Sequence, residues 1–190
     1  MSEYKGFGQA IDASVITKAQ NGERAAMEVI YLSYSKPCYQ MAMRLTANPQ
    51  ASQDIVHEVF LKVLKKIKQF ELLGSFSGWV RKIALNEAVD YIKRNSRSNA
   101  ETETVDELIS THHYFEHQWW ESIRDLEKLT AKLSPNARAV LFLHEVEGLT
   151  HSEIAHLFDK SERFSKQMLF RALAQLKAMS AIKELKNASD

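Results

Sequence analysis

Four side chains near the C-terminus, Lys166, Gln167, Phe170 and Arg171, share one polar face of a helical pattern. Their types suit contact with nucleic acid. Arg, Lys and Gln donate to base edges or phosphates, and an aromatic ring can touch a thymine methyl. They lie in residues 149–172, LTHSEIAHLFDKSERFSKQMLFRA, which reads as two short helices around a tight turn. Thr150 opens the first helix with Glu153 three residues on, the spacing of a capping box. Ile154, Ala155, Leu157 and Phe158 point inward, and Asp159-Lys160-Ser161 makes the turn. Phe164, Met168, Leu169, Ala172 and Leu176 form the buried stripe of the second helix. The same pattern describes a plain helical hairpin with a solvated face, so this stretch alone leaves both readings open.

A second polar face lies on residues 77–94, where Arg81, Lys82, Asn86, Asp90, Lys93 and Arg94 point outward and Ser77 opens the helix. Phe76 and Trp79 are close by. Aromatics can stack exposed bases, an amide can read their edges and cations can hold the phosphates. The plainer alternative makes Trp79 a core residue and Lys93-Arg94 a complement to the helix dipole. A third face, on residues 54–69, begins with acids and ends with lysines; it is either solvated or a dock for a basic partner helix. Enzymatic signals are weak. His57-Glu58 lacks the second His of a zinc-protease motif, and His112, His113 and His117 have no Cys nearby, so no metal site or cofactor is expected. Neither a phosphate-cradling glycine loop nor a nucleophile elbow is present, and the protein is not expected to be an enzyme.

The elements that must position these faces are helices. Six Gly and three Pro in 190 residues leave long stretches rich in helix formers, so the fold class is all-α. Residues 11–34 form two helices split at Asn21-Gly22, and a further helix runs from about Pro37 to Thr46. Ser52 or Asp54 caps the next, whose apolar face is Ile55, Val56, Val59, Phe60, Val63, Leu64, Ile67 and Phe70. In the helix of residues 77–94 the inner face is Trp79, Val80, Ile83, Ala84, Ala88, Tyr91 and Ile92. Residues 95–104 are polar with little to bury and read as a linker. Helices resume near Phe115, with Trp119 and Trp120, and Ser134-Pro135 caps one that Gly148 stops.

The expected organisation is a helical domain over residues 1–95, an acidic linker over 96–121 and a smaller helical domain over 122–190. The net charge of +1 hides an uneven distribution. Residues 1–95 hold 13 Lys and Arg against 9 Asp and Glu, residues 96–133 hold 4 against 8, and residues 134–190 hold 8 against 7. Cys38 is the only cysteine, which suits a reducing compartment. With no signal-peptide pattern and no membrane-length apolar run, a cytoplasmic protein without membrane insertion is expected.

Taken together, the stretches resemble a known family. Residues 21–70, NGERAAMEVIYLSYSKPCYQMAMRLTANPQASQDIVHEVFLKVLKKIKQF, followed by SFSGWVRKIALNEAVDYIKR, are similar to region 2 of bacterial sigma factors. LSPNARAVLFLHEVEGLTHSEIAHLF with the helix after it is similar to their region 4. Order, spacing and length resemble the extracytoplasmic-function (ECF) group, which keeps only these two domains. The resemblance implies a promoter-specificity subunit of RNA polymerase. It implies that Asp54, Glu58 and Lys62 dock on the β′ clamp helices of core polymerase. It implies that loop 71–76, with Ser75 and Phe76, and the helix carrying Lys82 and Asn86 capture a flipped base of the −10 element. It implies further that Lys166, Gln167, Phe170 and Arg171 enter the major groove at the −35 element, that the same domain binds the β flap, and that an anti-sigma factor holds the protein. Three positions depart from the family pattern: Asp159 stands where Gly is common, Ser165 where a β-branched residue is common, and Met168 where Arg is common. A stand-alone helix-turn-helix regulator is the alternative; it leaves residues 50–95 without a role.

Overall fold

The computed structural model describes residues 6–98 and 127–187, and every regular element among them is helical. α1 (Ala13–Gln20) starts where the Asp12 carboxylate accepts the Ser14 amide at 2.7 Å. Gly22, at φ +90°, then reverses the chain in a conformation that side chains with a Cβ rarely adopt. α2 (Arg24–Thr46) runs unbroken through Pro37, so the expected helix start at Pro37 is absent. Proline inside a helix costs about 3 kcal/mol through a lost hydrogen bond and a crowded preceding turn. Here a buried stripe of Ile30, Tyr34, Cys38, Met41 and Leu45 continues on both sides of it. Burying such side chains is worth about 1.5–3 kcal/mol each, which outweighs one proline.

α3 (Pro49–Lys66) starts before both expected caps. The cap is Asn48, whose Oδ1 accepts the Ala51 amide at 3.0 Å, and Pro49 takes the first helical position, where an N–H is not needed. Ser52 is instead buried, its hydroxyl donating to the Asn48 carbonyl at 2.7 Å. A 3-10 turn, Ile67–Gln69, closes α3. α4 (Phe76–Ser98) is capped by Ser75 rather than Ser77: the Gly78 amide donates to the Ser75 Oγ at 3.2 Å. α4 extends through Ser98, so the first residues of the expected linker are helical. The rest of that linker, with His112, His113, His117, Trp119 and Trp120, lies outside the described residues.

The chain divides into two compact units, Met1–Tyr91 and Ile92–Asp190. In the first, α2 packs along α3 and against α1 around Ile30, Tyr34, Leu45, Val59, Val63, Val80 and Val89. In the second, residues 127–131 are helical and precede α5 (Pro135–Glu145), α6 (His151–Phe158) and α7 (Glu162–Asn187). The Ser134 Oγ accepts the Ala137 amide at 3.4 Å, and Pro135 comes next as expected. α5 and α6 both pack on α7, with Leu133, Ala137 and Ala172 buried together and Leu141, Leu176 and Met179 against them. Gly148, at φ +71°, turns the chain after α5. Among the described residues, no helix is long and apolar enough to cross a membrane.

Candidate nucleic-acid interface

In the first unit, residues 70–75 leave α3 and enter α4. Leu72 and Leu73 project from this loop, Leu73 at 95% exposure. A shallow depression lies beside it, lined by Gln69, Phe70, Glu71, Leu73, Gly74 and Trp79. Lys82 and Asn86 stand one turn apart on α4, the lysine exposed and the asparagine half-buried. Ser75 is exposed, but its Oγ is engaged by the Gly78 amide and lies 3.0 Å from the Ser77 Oγ. Phe76 departs from expectation. It is 5% exposed, with ring centroids 5.1 Å from Phe70, 5.5 Å from Trp79 and 5.9 Å from Tyr34. Packed among three aromatics, its ring belongs to the core and offers no face to a base. The half-buried rings of Phe70 and Trp79, 5.4 Å apart, supply the aromatic surface at the depression instead.

On α3, Asp54 and Glu58 are exposed one turn apart, and the Gln50 side-chain amide donates to Asp54 at 3.2 Å. Lys62, one turn beyond Glu58, is partly exposed and engaged within the unit. Its ammonium forms an ion pair with Glu87 of α4, a carboxylate 4% exposed. Glu87, Leu85 and Val89 are buried residues that the inner-face pattern of α4 leaves out. The signal for Glu87 was its place beside Ala88, between Ala84 and Tyr91: an acid among apolar positions implies a cation nearby.

In the second unit the capping box forms as the spacing requires. The Glu153 amide donates to the Thr150 Oγ1 at 3.2 Å, and the Thr150 amide donates to the Glu153 carboxylate at 2.8 Å. The bond from the Thr150 backbone, then that from its hydroxyl, holds the Glu153 carboxyl below its ordinary value. Asp159 occupies the turn at φ +52°, a left-handed conformation that glycine adopts most readily. Asp is among the few other residues that tolerate it.

α7 carries Lys166, Gln167, Phe170 and Arg171 together on one exposed face, with Phe170 at 73% exposure. Lys166 lies 3.3 Å from the Glu162 carboxylate one turn before it. The opposite face buries Ala172 and Ser165 completely, while Phe164, Met168 and Leu169 are only half-buried. Ser165 is the position that sequence reasoning missed as core. Its Oγ lies 2.9 Å from the His151 Nδ1 at the start of α6, and the His151 ring stacks on His144 with centroids 4.6 Å apart. Polar residues at 165 and 151 thus satisfy each other where an apolar pair is the simpler solution. Among the described residues no group of three or more His, Cys, Asp or Glu is placed to hold a metal ion.

The Sigma-70 region 2 family matches residues 30–98, and the Sigma-70 region 4 family matches residues 123–176. The first match contains α3, the loop and α4; the second contains α5, α6 and the exposed face of α7. Among similar proteins, the ECF RNA polymerase sigma factor SigE of Mycolicibacterium smegmatis is 28% identical over 140 residues, 70% of this chain and 54% of that protein. The ECF RNA polymerase sigma factor SigM of Bacillus subtilis is 25% identical over 159 residues, 80% of this chain and 94% of that protein. The chain belongs to the sigma-70 family, in its ECF group. It spans about half the length of the Mycolicibacterium relative and nearly all of the Bacillus one. The sigma fold is also that of the sigma factor RpoE from Bartonella quintana, solved in complex with the anti-sigma factor NepR: TM-score 0.54, 18% identity, 82% of this chain and 96% of that one. In sigma terms, the region 2 unit carries the depression and, further along α4, Lys82 and Asn86, and the region 4 unit carries the helix-turn-helix of α6 and α7.

Proposed function

We propose that this sigma factor binds core RNA polymerase and directs initiation at promoters with matching −10 and −35 elements. The observation that carries the reading is the grouping of Lys166, Gln167, Phe170 and Arg171 on one solvent face of the second helix of a helix-turn-helix. Two cations, one amide and one ring on a single helix face fit major-groove edges and phosphates of the −35 element. In the region 2 unit, the depression lined by Phe70 and Trp79 takes an unstacked base of the −10 element, and Ser75, Lys82 and Asn86 contact that element from the loop and α4. Asp54 and Glu58 dock on the β′ clamp helices. Lys62 contributes there from the exposed part of its side chain, and region 4 also binds the β flap. The protein acts by binding and catalyses no reaction.

The low net charge fits this role. DNA affinity scales with phosphates neutralised, and core polymerase supplies most of those contacts. The single cysteine and the lack of a membrane-length helix among the described residues favour action in the cytoplasm. An anti-sigma factor is the proposed regulator, since the Bartonella protein of the same fold was solved bound to one. The decisive experiment adds the purified chain to core polymerase and maps transcript starts. Defined starts that depend on the chain, and that Lys166→Ala with Arg171→Ala abolishes, support the reading. A stand-alone helix-turn-helix regulator would bind DNA without conferring start sites on core enzyme.

A further inference from the structure

α1 lies wholly before residue 30, where the region 2 match begins. Its last residue, Gln20, reaches the far end of α3. The Gln20 Nε2 donates to the Ile67 carbonyl at 3.0 Å and to the Phe70 carbonyl at 2.8 Å. These carbonyls bracket the 3-10 turn that closes α3; the Ile67 oxygen also accepts the Phe70 amide at 3.1 Å, so Gln20 adds a second bond there and ties the turn to the Phe70 carbonyl where the loop leaves it. A carboxamide nitrogen carries two hydrogens and can serve both acceptors at once; neither a carboxylate nor a thioether can.

The path of the backbone beyond Phe70 depends on that anchor. Ile67 is buried, while Glu71, Leu72 and Leu73 are exposed. The next fixed point is Ser75, which caps α4. Phe70 itself lines the depression and packs edge-on against Phe76. A shift of the Phe70 backbone therefore moves a wall of the depression and the start of the loop together.

We infer that Gln20 is a positioning residue for promoter recognition, fixing where loop 70–75 departs from α3 and so the shape in which an unstacked −10 base is read. The inference rests on the proposed −10 role of that loop. Gln20 touches no DNA; it acts through the Phe70 carbonyl, and it lowers the ordering cost that a loose loop would meet on binding.

The test uses full-length chain assembled with core polymerase and a pool of short single-stranded DNA with randomised bases. Wild-type holoenzyme enriches a preferred sequence. Gln20→Met keeps the side-chain length and removes both donors; Gln20→Glu keeps the shape and faces both carbonyls with acceptors. Both variants are expected to discriminate the enriched sequence from its scrambled form about tenfold less well, the factor set by two hydrogen bonds of ordinary net worth. Affinity for core polymerase is expected to stay at the wild-type value, while the melting midpoint of the free chain falls by several degrees in both variants because the same two bonds leave the folded state. Undiminished discrimination in both variants overturns the role of Gln20 while leaving the −10 role of the loop standing. Discrimination that falls only in step with core affinity also overturns it, because Gln20 would then support the unit as a whole. A wild-type holoenzyme that enriches no sequence overturns both the inference and the −10 reading.

Discussion

Lys62 on α3 and Glu87 on α4 form an ion pair of which only the lysine end meets solvent: its side chain is 41% exposed and that of Glu87 4%. The pair ties the helix bearing Asp54 and Glu58 to the helix bearing Lys82 and Asn86. Lys62→Met strands a buried carboxylate, and it is expected to cost about 1–3 kcal/mol, less than for a fully buried pair because water reaches the lysine. Adding Glu87→Leu removes the stranded charge and is expected to recover most of the loss. Urea unfolding of the two single variants and the double variant measures this coupling; additive losses would show the two residues to be independent.

Phe76 and Lys82 are six residues apart and are expected to fail in different ways. Phe76→Ala removes a ring from a four-aromatic cluster, and the expected loss is about 3–5 kcal/mol of stability. Lys82→Ala changes an exposed side chain, so its stability stays within about 0.5 kcal/mol while transcription from a mapped promoter drops. Thermal melting paired with run-off transcription separates the two effects.

The capping box makes the helix-turn-helix sensitive to acid. The Glu153 carboxyl is held below its usual 4.5 by Thr150, so it is harder to protonate in the folded chain than in the unfolded one. Its contribution to stability is full above the unfolded value and is lost as pH falls through the folded value. An NMR titration of the Glu153 side chain is expected to give a midpoint below 4.5 in the wild type. In Thr150→Ala, which loses the hydroxyl bond but keeps the larger backbone one, the midpoint is expected to rise part of the way back.

The His151 imidazole is displaced in the same direction. Burial pushes it below its usual 6.5, neighbouring His144 and Lys166 add to the effect, and Glu162 opposes it. Protonation therefore favours the unfolded chain: this contribution is full above 6.5 and fades as pH falls through the lowered folded value. His144→Ala removes one of the neighbours that lower it. The His151 ring-proton titration is then expected to move upward, and an unmoved midpoint would show that the stacked ring has no influence.

Local rules made part of this fold legible. The Thr150–Glu153 box, the Ser134-Pro135 helix start and the break at Gly22 each depend on partners within a few residues, and each forms where the spacing puts it. The exposed face of α7 was legible for the same reason, since helical periodicity alone separates Lys166, Gln167, Phe170 and Arg171 from Ala172. Tertiary partners decided the rest. Pro37 is carried inside α2 by burial along the whole helix, Phe76 is drawn inward by Tyr34, Phe70 and Trp79, and Ser165 is made a core residue by His151. Nothing near Glu87 in the chain announces Lys62. The aromatic character near the −10 candidate was legible, but the assignment of its rings was not: Phe76 is core, and Phe70 and Trp79 are half-buried beside the depression.

The division into two compact units sets an order in time. Every buried residue from Ile16 to Val89 belongs to the first unit, so that core can close before any of α7 has been synthesised. At roughly 5–20 residues per second on the ribosome, the delay between the two is several seconds. During that interval the nascent chain already displays Asp54, Glu58 and the loop after Phe70, while its helix-turn-helix does not yet exist. A partner specific for the first unit can therefore engage it on the ribosome, ahead of any partner that needs the second.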